Sequence, residues 1–166
     1  MYYYIGKYIN IDHMEKVRIM SEEVSPEELL RALMEESAVS EVGTKITEVL
    51  KELSEINQTI EAAIVSSAEG LPVAWYAKSP NILKEEGRVA AAVTVIFSTS
   101  ERNSMDLGKG HVEHIVVRTN EGNIILQLIN EDYILAVVTN PEAKLGVVRR
   151  DMKQASKKIL DIINSI

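Results

Sequence analysis

The sequence predicts an α+β domain built on a single five-stranded antiparallel sheet. Its elements run helix, strand, strand, helix, strand, strand, strand, helix. Three observations predict it. Two apolar segments flank the turn composition Ala68-Glu69-Gly70, and three more are linked by Asn120-Glu121-Gly122 and Asn130-Glu131-Asp132. Connections this short cannot make the long crossover that parallel pairing needs, so neighbouring strands pair antiparallel. Segments with helical periodicity stand before, between and after these strand runs.

The elements follow in order. Residues 1–24 hold four tyrosines before residue 9, mixed with Ile5, Ile9 and Ile11, a composition that suits a strand. Ser25-Pro26-Glu27-Glu28 then reads as a helix start, with serine as cap, proline at the first helical position and glutamate closing a capping box. A short helix is expected there, with Leu29, Leu30 and Leu33 on its apolar side and an interruption between Ser37 and Gly43. A second helix is expected from Val42 to Ile56, where Val42, Ile46, Val49, Leu50, Leu53 and Ile56 share one side. Residues 1–41 are thus read as an N-terminal extension and 42–166 as the main domain.

Ile60–Ser66 and Pro72–Ala77 read as a hairpin. A long helix is expected from Leu83 to Met105, ended by Leu107-Gly108-Lys109-Gly110. Strands are expected at His111–Thr119, Asn123–Ile129 and Tyr133–Thr139. Asn140-Pro141 reads as the start of the last helix, with Leu145, Val148, Met152, Ala155, Ile159 and Ile162 facing the sheet. Arg149, Arg150, Lys153, Lys157 and Lys158 lie off that stripe and make a basic side.

Composition narrows the function. The 166 residues carry a net charge of −7, which argues against nucleic acid as a partner. The absence of cysteine excludes disulfides, thiolate metal sites and a cysteine nucleophile. The N-terminus lacks the pattern of a secretory signal, and no apolar run reaches the roughly 18 residues of a membrane span. The expected location is the cytoplasm, without membrane insertion. Asn57-Gln58-Thr59 matches a glycosylation acceptor, a chance match in a chain read as cytoplasmic.

The central helix carries the strongest functional signal. At 100° per residue, Val89, Val93, Ile96, Phe97 and Ser100 fall on one side, the natural sheet-facing stripe. Ala91, Thr94, Val95, Ser98 and Arg102 fall on the other, and that side has no charge before Arg102. A surface helix should be charged there. Small residues also allow another backbone to come close. The reading is a helix covered twice, by its own sheet and by a second surface. The simplest second surface is the same helix of another copy across a two-fold axis; the alternative is cover by the N-terminal extension.

Catalytic and metal chemistry find little support. His111-Val112-Glu113-His114, read as strand, would send its two imidazoles to opposite faces, so no metal site is expected. Leu107-Gly108-Lys109-Gly110 lacks the upstream glycine and the following Ser/Thr of a phosphate-binding loop. The hydroxyls of Ser66, Ser67, Ser98, Thr99, Ser100 and Ser104 have no identifiable base beside them. No enzyme activity and no cofactor are expected.

From Ile46 to the C-terminus the chain resembles the roadblock family, also called the dynein light chain roadblock type. The resemblance rests on the hairpin Glu61–Ala74 and the helix Arg88-Val89-Ala90-Ala91-Ala92 running to Ser100-Glu101-Arg102. It extends through Leu107-Gly108-Lys109-Gly110, Glu121-Gly122-Asn123-Ile124-Ile125-Leu126, Ala136-Val137-Val138-Thr139 and Asn140-Pro141-Glu142-Ala143-Lys144-Leu145-Gly146. The chain looks most like stand-alone prokaryotic members such as MglB. The resemblance implies a longin/profilin-like sheet and a homodimer with paired central helices and joined sheets. It also implies a role as regulator or scaffold of a Ras-like small GTPase. It assigns the dimer or partner interface to Ala91, Thr94, Val95, Ser98 and Arg102, and more loosely to Val112, His114 and Val116. Two other readings stand beside it: a small-molecule sensor with a pocket beneath the Trp75 strand, and a dimerisation module without a GTPase.

Overall fold

The computed structural model describes residues 26–165, and side-chain surroundings from residue 41 onward. The strand composition read in residues 1–24 lies outside the described residues. Residues Glu41–Ile166 form one compact unit, separate from the residues before them. The elements are α1 (Pro26–Ile56), β1 (Ile60–Ser67), β2 (Pro72–Ala77), α2 (Glu86–Asp106), β3 (His114–Arg118), β4 (Asn123–Asn130), β5 (Tyr133–Thr139) and α3 (Leu145–Asn164). The strands form one antiparallel sheet in the order β2-β1-β5-β4-β3. This is the expected α+β element order, and among the described residues β2 and β3 are the edge strands.

Three expected boundaries are corrected. The interruption between Ser37 and Gly43 is absent, and α1 runs unbroken from Pro26 to Ile56. One glycine inside a helix costs only about 1 kcal/mol. The Thr47 hydroxyl also donates to the Gly43 carbonyl at 2.9 Å, within the same turn. The last helix begins at Leu145, not at Asn140-Pro141. There the Asn140 side chain accepts the Glu142 N–H at 3.1 Å and closes a local turn before the helix. Helix α2 begins at Glu86 because the Ile82 N–H bonds the Ser79 carbonyl at 3.2 Å and holds a separate turn.

Alternation along the strands builds two cores. On one face, Ile46, Leu50 and Leu53 of α1 and Val148, Met152, Ala155 and Ile159 of α3 cover Ala63, Val65, Ile125, Leu135 and Val137. On the other face, Ala90, Val93 and Phe97 of α2, with Leu83 from the loop before it, cover Ala62, Ile64, Leu126, Ile134 and Ala136. Buried polar groups are paired across these layers. Gln127 on β4 donates to the Ser156 hydroxyl of α3 at 3.1 Å, and Ser54 donates to the Ile60 carbonyl at 2.9 Å. The Asn57 amide of the apparent glycosylation acceptor donates to Asp151 at 3.0 Å, so that side chain is engaged inside the fold.

Candidate partner interface on the central helix

Helix α2 is held to the sheet by a narrow line of residues. Ala90, Val93 and Phe97 are buried, with Val89 packed beside them. Two hydroxyls fix the helix at the end of β1. The Thr94 hydroxyl donates to the Ser67 carbonyl at 2.9 Å. The buried Ser66 hydroxyl lies 2.9 Å from Thr94 Oγ1 and 3.1 Å from the Ala90 carbonyl. The β1–β2 turn also packs on α2. Gly70 has φ of 83°, and a Cβ built there would lie 3.2 Å from the Ala91 Cα.

What α2 leaves uncovered is apolar or small. Ala91, Val95, Ser98 and Arg102 share one open face, with Val95 62% exposed. Ala92, Ile96 and Thr99 widen that face, with Ile96 39% exposed. No charged residue interrupts it from Ala91 to Ser100. Ile96 corrects the expected sheet-facing stripe, since Ala90 holds the place beside Val93 and Phe97. A stripe traced through large apolar side chains passes over a small alanine, which gives no such signal. Thr94 differs from its four companions because it is half-buried and its hydroxyl serves β1.

The three residues near β3 divide between the two faces of the sheet. Val112 precedes the strand and packs with the α2-side core. Its N–H donates to Glu101 Oε2 of α2 at 2.7 Å, while Glu101 Oε1 bonds the His111 ring. These bonds hold the Glu101 carboxyl below its ordinary range, the Val112 N–H contributing more than His111. His114 and Val116 lie opposite Gln127 and Ile125, on the face covered by α1 and α3. Burial, then the charge of Arg149, pushes the His114 imidazole below its usual range; Lys153 adds to the shift and Glu113 opposes it. The expected strand start at His111 is therefore corrected to His114. The two imidazoles diverge, with His111 tied to α2 and His114 lying under α3.

An open cleft of ≈ 630 Å³ lies beside edge strand β2, lined by Trp75, Tyr76, Ala77, Pro80, Asn81, Leu83 and Lys84. Among the described residues no helix is long and apolar enough to cross a membrane.

Known proteins share this fold. The chain is 30% identical over 109 residues to the uncharacterized protein MJ1340 of Methanocaldococcus jannaschii, which spans 64% of this chain and 92% of that protein. MglB of Myxococcus xanthus superposes with a TM-score of 0.67 at 17% identity, covering 74% of this chain and 90% of that one. The gliding protein MglB of Thermus thermophilus gives 0.66 at 19% identity, covering 75% and 93%. A Roadblock/LC7 domain of Streptomyces avermitilis gives 0.64 at 19% identity, covering 70% and 96%. The model of the Roadblock/LC7 domain matches residues 45–139, more than half of the chain. By that match and by its fold, this chain belongs to the Roadblock/LC7 family.

Proposed function

We propose that this protein is a non-catalytic, cytoplasmic homodimer that regulates or scaffolds a Ras-like small GTPase. The observation that carries the reading is the open face of α2. Ala91, Val95, Ile96, Ser98 and Thr99 form a surface without charge over about two and a half helical turns. Val95 alone is 62% exposed. Large uncharged patches on a helix favour burial against a partner. Small side chains let the backbones of two such helices approach, and a two-fold axis makes one surface serve both copies. An MglB structure is described with a tetrameric arrangement, which agrees with a chain that assembles with copies of itself.

In this reading Ala91, Val95, Ser98 and Arg102 make the helix contact and Thr94 supports it from the rim. Val112, His114 and Val116, before and on β3, take a looser part in the dimer or partner interface. Residues 42–166 are the family domain, and residues 1–41 are an extension that modulates it. Arg102 serves the helix pair and not hydrolysis. The GTPase half of the proposal rests on family membership. Its test is capture of small GTPases of the source organism, loaded with GDP or with a non-hydrolysable GTP analogue. Retention of one nucleotide state is expected. Failure to retain either, by a chain that is dimeric, favours the dimerisation module without a GTPase.

The cleft beside β2 favours a second reading, a small-molecule sensor. Trp75 lines the cleft and is the single tryptophan, so its fluorescence reports on a bound ligand. Saturable quenching by a metabolite at micromolar concentration would support the sensor.

A further inference from the structure

Helix α3 carries five basic and two acidic residues in a chain whose net charge is −7. Two of the five are neutralised within the fold. Lys158 Nζ reaches both carboxylate oxygens of Glu52 at 2.8 Å, and Arg150 pairs with Asp151 at 3.0 Å. Arg149, Lys153 and Lys157 form no ion pair among the described residues. They recur every four residues and so stand in one line along the helix. Like charges at this spacing repel each other, which weakens the helix unless something neutralises them.

The Arg149 and Lys153 end of the line lies toward the β3 side of the sheet. Ser156, on the adjoining line of α3, bonds Gln127 of β4, and β3 lies beyond β4. Arg149 and Lys153 both act on His114 at the start of β3. Val116, two residues along the same face of that strand, is 36% exposed. The result is a row of three cations that form no ion pair among the described residues, two of them close to the strand that carries Val116.

We propose that this row is a docking surface for an acidic amphipathic helix of a protein partner. That helix presents carboxylates four residues apart and an apolar side chain toward Val116. Four residues of α-helix rise about 6 Å, so carboxylates at that spacing meet the three cations in register. An extended polyanion or an anionic bilayer is the poorer match. Each spreads charge over far more than one short line, and the rest of this acidic chain would be driven against it. An exposed valine beside the row also rewards a ligand with apolar side chains. The cation row itself does not use the paired helices, because Arg149, Lys153 and Lys157 all lie on α3 and none lies on the open face of α2.

The test is fluorescence anisotropy on the full chain. The probe is a labelled synthetic helix with three glutamates four residues apart and one leucine between them. The wild type is expected to bind it saturably, and more weakly as salt rises. Arg149→Gln, Lys153→Gln and Lys157→Gln together should weaken binding by roughly tenfold or more, from three exposed pairs lost. Lys45→Gln, Lys51→Gln and Lys109→Gln together remove the same charge elsewhere and should leave binding within about twofold. Melting curves of both triple variants confirm the fold. Equal loss in the two variants would overturn the proposal. So would absence of binding, or tighter binding of the wild type to phosphatidylserine vesicles or duplex DNA than to the peptide.

Discussion

Alanine in place of Gly70 is expected to destabilise the protein more than alanine in place of Gly108. Both glycines have positive φ, 83° and 66°. A Cβ in that region costs roughly 1–2 kcal/mol for an L-residue. The surroundings then separate them. A Cβ at Gly108 meets nothing within 4 Å, whereas at Gly70 it lies 3.2 Å from the Ala91 Cα and 3.7 Å from the Ala91 Cβ. To make room, α2 must move away from the turn. Overpacking of this kind adds about 1 kcal/mol or more. Gly70→Ala should therefore cost about 2–3 kcal/mol and Gly108→Ala about 1–2. For a domain of this size the Gly70 variant should lose roughly 5–10 °C in Tm. Urea unfolding of both variants, compared at one protein concentration, gives the difference directly. Equal losses would refute the claim that the β1–β2 turn seats α2.

Other outcomes follow from the same geometry. Phe97→Ala empties a buried site between α2 and the sheet and should cost about 3–5 kcal/mol in denaturant titration. Ser66→Ala removes the buried hydroxyl that links β1 to Thr94 and Ala90, and should cost about 1–2 kcal/mol by the same assay. Glu101→Gln should loosen the segment entering β3, seen as faster amide exchange at Val112. The pH dependence of that tie has a definite sign. The folded Glu101 carboxyl titrates below its ordinary 4.5, so its contribution is complete above that value and is lost as pH falls through the lower, folded value. Amide protection at Val112 should fall with acidification in the wild type, and in Glu101→Gln it should lose that dependence.

The topology is readable in the sequence because hairpin chemistry and periodicity are local. Ala68-Glu69-Gly70 and Asn130-Glu131-Asp132 each join strands that pair directly, and β5 and β2 have the boundaries their composition implies. What stays hidden depends on contacts between distant segments. Asn140-Pro141 has the chemistry of a helix start, yet Asn140 also gives its N–H to the Thr59 carbonyl at 3.0 Å, and the chain turns before it coils. Gly43 reads as a break until the rest of α1 outweighs it. Thr94 falls on the open side of α2 by angle alone, since nothing local reveals its bonds to Ser66 and Ser67. The lack of charge from Ala91 to Ser100 is legible without any coordinates, because it is a property of composition on one helix. The pairing of Lys158 with Glu52 appears only once α1 and α3 lie side by side on the sheet, whereas that of Arg150 with Asp151 joins neighbours within α3.

The most direct test of the central claim is the solution mass of the full chain by light scattering, with Val95→Glu beside it. Val95 suits the purpose better than Ala91, because the turn at Gly70 packs on Ala91 within one chain. At 62% exposure, a charge at Val95 should change the stability of a monomer by no more than about 0.5 kcal/mol. Desolvated at a helix pair, the same charge costs several kcal/mol. The account gives a wild type of twice the 18.5 kDa chain mass and a folded, monomeric variant. A monomeric wild type, or a variant that remains dimeric, would contradict it.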